Sequence, residues 1–162
     1  MDLFDHDFLI ALTCSMSAPV DGQQYLLELN WCAYNVRARR ITEEVYLPVR
    51  PPAEVLPRLF PASTESAGIK QSDVEEAEDF RGIYQSFNKF VYEQIILNNS
   101  SFCLVTVGDD LIRRHLVAEC QRCGLKPAHH FLKYFDIKAE FERCYPEANV
   151  GGSLSTMLKC RR

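Results

Sequence analysis

The sequence predicts an α/β domain, a mixed β-sheet in which an antiparallel three-stranded meander is joined to parallel α/β units, with helices packed on its faces. Three observations predict it. The first half carries three apolar, β-prone runs separated by short connections. The second half alternates long stretches of helical period with short apolar runs. The chain is 162 residues long and 47% hydrophobic, enough to bury one core, so a single domain over 1–162 is expected.

The first run, FLIALTC at 8–14, reads as a strand; Pro19 and Asp21-Gly22 mark a turn, and YLLELNWCAYN at 25–35 supplies a longer strand. ITEEVYLPVRPP at 41–52 reads as the third, stopped by prolines at 48, 51 and 52. After a proline-rich connection, Ser72 and Asp73 precede a helical stretch at 74–99. In it Phe80, Ile83, Phe87, Phe90, Val91 and Gln94 share a face, and Asn98 and Asn99 suit its end. SFCLVTV at 101–107 is short, apolar and β-branched, as a buried strand is. A second helix follows, with Asp109 or Asp110 as its cap, Ile112, Leu116, Cys120 and Cys123 on one face, and Gly124 closing it. A fifth strand is expected at 129–137, a short helix at 138–145, and the start of another in the GGSLSTMLKCRR tail.

Charge narrows the function classes. A formal charge of −4 argues against coating nucleic acid through bulk electrostatics and leaves room only for a local basic patch. Arg37, Arg39 and Arg40 fall in a turn with no interleaved aromatic residue, which reads as a solvated turn first. The MDLFDHDF start has neither the basic flank nor the apolar core of a secretory leader, and no run is long and apolar enough to cross a membrane. An intracellular location, cytoplasmic or nuclear, is expected. Seven cysteines form an odd set lying mostly in apolar runs, where a thiol behaves as a small hydrophobe.

The element order and local wording resemble the ribonuclease H-like fold, and within it the DEDD-type 3′–5′ exonucleases of the histidine-containing, Eri-type branch. The stretch from YLPVRPP through the acidic, Phe-containing linker to IYQSF is similar to that branch's VRP exit and following helix. VTVGDDL resembles its T-x-G-x-D-L turn, CGLKP its Gly-Leu corner, and YFDIKAEF its D-I/L-K-x-x-F segment. SLSTMLK looks like the start of the family's next helix. The resemblance implies an RNA-trimming scaffold in which four acids hold two divalent cations and a histidine positions the attacking water, a pair of ions no single carboxylate can seat.

Checked position by position, that machinery is depleted. No acid occurs from Phe8 to Val20, where the family's Asp-x-Glu falls; aligning Thr13-Cys14 with the family's Thr-Cys puts the lost acids at Leu9 and Ala11, and sliding by two puts them at Ala11 and Thr13. Asp5 and Asp7 precede the strand and belong to its other end. Asp110 matches the third acid, but with the first pair gone it reads first as a helix N-cap or first-turn acid. The chain ends at Arg162, before the family's histidine-aspartate motif, so the domain is expected to lack that segment. His129 and His130 precede Asp136 at the wrong spacing and read as strand-start residues.

Other constellations are weaker. Cys120-x-x-Cys123, with His115, His129, His130 or Cys144 nearby in sequence, has zinc-like content, but the pair sits on a helix's apolar face rather than a tight turn. No nucleophile elbow or phosphate-cradling glycine loop is present. Trp31 and Tyr34 read as sheet-face residues. The expectation is a catalytically inactive, exonuclease-like scaffold subunit in an RNA-processing, RNA-silencing or mRNA-regulation assembly, with no cofactor and no metal. Its partners are expected to be proteins, with RNA contact through Arg37, Arg39, Arg40, Arg113, Arg114, Lys159, Arg161 and Arg162. Homo-oligomers remain open. The alternatives are a metal-dependent exoribonuclease completed by a partner or by further sequence, and a zinc-stabilised interaction module.

Overall fold

The structure, a computed structural model, describes residues 3–60, 68–146 and residue 157. Five strands form one sheet in the order β3-β2-β1-β4-β5. β1 (Phe8–Met16) pairs antiparallel with β2 (Leu26–Asn35), and β2 pairs antiparallel with β3 (Arg40–Pro48), which completes the meander. β4 (Phe102–Thr106) joins β1 in parallel, and β5 (Tyr134–Asp136) joins β4 in parallel. The third strand therefore stops at the first of its three prolines, and the fifth is shorter than the sequence predicts. Residues His129–Leu132 form a 3₁₀ turn instead, because Phe131 drops into the core and takes the backbone out of sheet register.

The β1–β2 connection is a tight hairpin. Val20 and Gln23 exchange both backbone hydrogen bonds, and Asp21 and Gly22 take left-handed φ values of 52° and 75°, the pair of positive angles a two-residue turn matching the strand twist requires.

The 74–99 stretch divides in two. Gln71–Glu75 forms one short helix, α1, and the chain restarts at α2 (Phe80–Phe90), whose N-cap Asp79 accepts a hydrogen bond from the Gly82 N–H. The acidic run at 75–79 thus caps and links helices instead of continuing one. α2 is prolonged by a wide π-helical turn (Val91–Ile95) and a 3₁₀ turn (Ile96–Asn98) that ends on Asn99 in the left-handed region. The extra residue in the π turn shifts the phase of the buried stripe. Phe80, Ile83, Phe87 and Val91 are buried as the spacing predicts, but Tyr84 and Ile95 join them while Gln94 is exposed.

That stripe packs on one sheet face with Ile10, Leu12, Leu29, Trp31, Ala33 and Leu104, and with Leu111, Ile112, Leu116 and Cys120 of the next helix. Trp31 meets Phe87 edge-on at 5.2 Å between ring centroids. A satellite cluster of Leu27, Val55, Leu59, Phe60, Ile69 and Val74 lies under the proline-rich connection. The helix after β4, α3, opens with a π-helical segment (Leu111–Leu116) and continues as Val117–Arg122. The last described helix, α4 (Ile137–Cys144), starts directly from β5. Of the helix expected in the tail, Met157 alone lies within the described residues, helical and buried.

Tyr84 ties α2 to the segment after α3: its hydroxyl donates to the Lys126 carbonyl at 3.2 Å and accepts from the Ala128 N–H at 2.6 Å. Replacing Tyr84 with Phe keeps the ring stack on Phe131 and removes both bonds, so Tyr84→Phe should cost about 1–2 kcal/mol, read as a lower urea midpoint with an unchanged slope.

Candidate functional site

Parallel pairing of β1 with β4 places the carboxyl ends of both strands on one edge of the sheet, where open α/β sheets hold their ligands. Three elements meet there: the end of β1, the turn Val107–Asp110 after β4, and the first turns of α3.

Asp136 builds the turn from a distance. One of its carboxylate oxygens accepts the Gly108 N–H at 2.8 Å and the N–H groups of Lys138 at 2.9 Å and Ala139 at 3.3 Å. It caps α4 and fastens the β4–α3 turn in the same act, and Thr106 adds a 2.7 Å bond from its hydroxyl to the Gly108 carbonyl. The sequence marks Asp136 as lying off the chemistry; it contains no sign of the long-range bond to Gly108.

Asp110 opens α3 with no side-chain cap bond of its own. Its carboxylate is exposed and lies 3.5 Å from Arg114, one turn on; Asp109 makes the same pairing with Arg113 at 3.6 Å. Neither aspartate therefore performs the capping role the sequence suggests. Arg113 is held by a 2.8 Å bond to the Tyr134 hydroxyl as well.

Across from Asp110 stands Cys14. Burial first, and then the Asp110 carboxylate, push the Cys14 thiol up to about 11. Its neighbour on the same face of β1, Leu12, is 2% exposed and belongs to the core. Leu9 and Ala11, the positions to which sequence alignment assigns the lost acids, occupy the opposite face and pair mid-strand with Cys103 and Val105 of β4. The strand's two-residue period puts both, with Thr13, on the face opposite Leu12 and Cys14.

Asp7 lies at the far end of β1, where its carboxylate accepts the Ser101 N–H at 2.8 Å and the Ser101 hydroxyl at 2.9 Å. Those bonds hold its carboxyl below the usual range. It locks the start of β1 to the start of β4 and takes no part in the site.

The remaining residues singled out in the sequence scatter. Arg37, Arg39 and Arg40 are exposed in and beside the β2–β3 turn, at the end of the sheet that holds Asp7, about 25 Å of strand away from Arg113 and Arg114. Lys159, Arg161 and Arg162 lie outside the described residues. His130 is half-buried among Phe87, Phe102 and Phe131, and burial holds its imidazole below the ordinary value. That aromatic setting at the start of β4 is far from Asp110. Cys120 is wholly buried and Cys123 half-buried, both as free thiols. Among the described residues no three His, Cys, Asp or Glu side chains are arranged to hold a metal ion. No described helix is long and apolar enough to cross a membrane.

One network was invisible in the sequence. Glu119 is 5% exposed, and one of its oxygens accepts the Leu26 N–H at 3.0 Å and pairs with Arg122. Arg122 also donates to the Gln24 carbonyl at 2.8 Å and lies 4.3 Å over the Tyr25 ring. Burial raises the Glu119 carboxyl, which the Leu26 bond and the guanidinium oppose. The signal available was a Glu inside the apolar stripe of α3 with an Arg three residues on.

The five-stranded mixed sheet with its helices has the fold of the ribonuclease H-like exonuclease domains. The full-length crystal structure of a 3′-exonuclease superposes with a TM-score of 0.85 at 18% identity, covering 96% of this chain and 70% of that one. The nuclease domain of 3′hExo, a DEDDh family member bound to rAMP, gives 0.81 at 18% identity over 96% of this chain and 78% of that one. A 3′-exonuclease seen in 3′-end-specific recognition of a histone mRNA stem-loop gives 0.81 at 19% identity, with 96% and 70% covered. In sequence the chain is similar to ERI1 exoribonuclease 3 of Bos taurus and of Homo sapiens, 25% identical over 147 residues. Those residues are 88% of this chain and 43% of either relative, so the chain spans less than half their length. No family model matches the chain.

The thiols give a direct check of the site. At pH 8 a haloacetamide should alkylate exposed Cys144 within minutes and leave Cys14 and Cys120 largely unmodified, because alkylation needs the thiolate. Peptide mapping by mass spectrometry should show Cys14 labelling rise steeply only as the pH nears 11.

Proposed function

We propose that this chain is a non-catalytic exonuclease-fold domain that serves as a protein-interaction subunit of an RNA-processing assembly and touches RNA without cutting it. The observation that carries the reading is the absence of any carboxylate from β1, Phe8–Met16. Leu9 and Ala11, the positions assigned to the family's first two acids, carry no charge, and the Cys14 thiol near Asp110 stays protonated at neutral pH. Two divalent ions need several anionic oxygens around them. Asp110 supplies one carboxylate and spends part of its field on Arg114. The reading does not depend on sequence beyond Arg162, since the first pair belongs to β1.

The RNA-processing context is carried over from the relatives, which include proteins named as exoribonucleases and one solved in recognition of a histone mRNA stem-loop. The single domain over 1–162 belongs to the same proposal.

Labelled single-stranded RNA incubated with Mg²⁺ or Mn²⁺ decides the matter. The chain should leave the RNA full length, and Asp110→Ala should behave identically. Metal-dependent shortening that disappears in Asp110→Ala would overturn the reading and restore an enzyme.

A further inference from the structure

The geometry points to a phosphate seat for single-stranded RNA in a polar concavity of about 380 Å³ between the β1–β2 turn and the outer face of α3, built from Gln23, Gln24, Arg114, His115, Gln121 and Arg122. The inference deepens the proposed function and rests on its premise that the domain contacts RNA.

Charge selects this concavity. Its lining, which Gly22 and Ala118 complete, holds two guanidiniums, an imidazole and three carboxamides, and no carboxylate. The neighbouring clefts each carry acids: Asp79 and Glu119 in the one beside Phe80, Asp109 and Asp136 in the one beside Tyr134, Asp7 in the one beside Arg37. Of the acids nearest the seat, Asp21 gives both oxygens to Arg58, at 2.8 and 2.9 Å, and Glu119 accepts from Leu26 and pairs with the seat's own Arg122. Asp110, beyond the rim, meets Arg114 at 3.5 Å.

The donors are preorganised. Arg122 is fixed by Glu119, the Gln24 carbonyl and the Tyr25 ring, so its fork is ordered before any ligand arrives. Gln23 accepts from the Tyr25 hydroxyl at 3.4 Å through its side-chain oxygen. Gly22, with φ at +75° and open space where a Cβ would stand, lets a phosphate approach the turn backbone. His115 is held below the ordinary imidazole value by burial and by Arg114, against the pull of Asp110, so at neutral pH it acts as a hydrogen-bonding ring. The seat lies along α3 from Asp110, so a strand crossing the old catalytic edge would pass over it.

The test measures fluorescence anisotropy of a labelled twelve-nucleotide oligo(U) against the full chain in EDTA. Gln121→Glu places a carboxylate in the seat from an exposed helix position and should weaken binding about tenfold; Arg114→Ala should weaken it several-fold, and Arg39→Ala less than twofold. Oligo(dT) should compete as well as oligo(U), because a phosphate seat does not read the ribose. A single seated phosphate gives a salt slope of about −0.7 in log K against log salt. Inorganic phosphate should shift the His115 imidazole resonances. RNA binding indifferent to Gln121→Glu and Arg114→Ala would overturn the seat and leave the non-catalytic reading standing. So would absence of RNA binding together with unmoved His115 resonances. RNA shortening in metal would overturn the non-catalytic reading and leave the seat.

Discussion

The parallel register of β1 on β4 is the constraint from which the rest of the molecule follows. Phe8 opposite Phe102 and Ala11 opposite Val105 fix which β1 side chains stand level with the turn after Thr106, and so which face Asp110. A slip of one residue would exchange the two faces of β1, sending Ile10 and Leu12 out of the core and Leu9 and Ala11 into it. The register is pinned twice: by the apolar face, and by the Asp7–Ser101 bonds that join the starts of the two strands.

Given that register, the electrostatics of the carboxyl-end corner are simple. Carboxylates crowded at one strand end repel one another, and a scaffold that keeps them needs cations to neutralise the cluster. Here β1 contributes no carboxylate, and its Cys14 thiol is uncharged at neutral pH. Asp109 and Asp110 each pair with an arginine one turn along α3. Leu12 continues the apolar face of β1 two residues beyond Ile10.

The sheet was legible in the sequence because its signals are local. Apolar alternation, prolines after the third strand and the Asp21-Gly22 turn specify β1, β2, β3 and β4 without reference to tertiary contacts. What failed to show were features set by contacts across the fold. The π turn at Val91–Ile95 moves Ile95 into the core and Gln94 out of it, and no periodicity argument anticipates an extra residue in a helix. The 129–132 segment has strand-like composition, but Phe131 is worth more in the cluster with Tyr84 and Phe87 than a longer edge pairing would be. The absence of acids from β1 was plain from the residues, because it is a property of the sequence alone.

The proposed binding role suits the shape of the same corner. A concavity at the carboxyl ends of parallel strands arises from topology, because α3 must leave β4 on one side while the β1–β2 hairpin folds to the other. Topology keeps the cleft, whatever lines it. Its walls are braced by groups that never needed a metal: Asp136 on Gly108, Glu119 on Leu26, and Arg122 on Gln24 and Tyr25. With the walls held independently, the sign of the charge presented between them can change without loss of shape. In this chain Asp109 and Asp110 at the corner are each answered by an arginine, while the adjoining face of α3 offers Arg114, His115, Gln121 and Arg122. In a working two-metal site, cations stand between acidic side chains and the phosphate. In the proposed seat guanidinium and amide donors reach that anion directly, which requires only that they stay ordered, and the Glu119–Arg122–Tyr25 stack supplies that order.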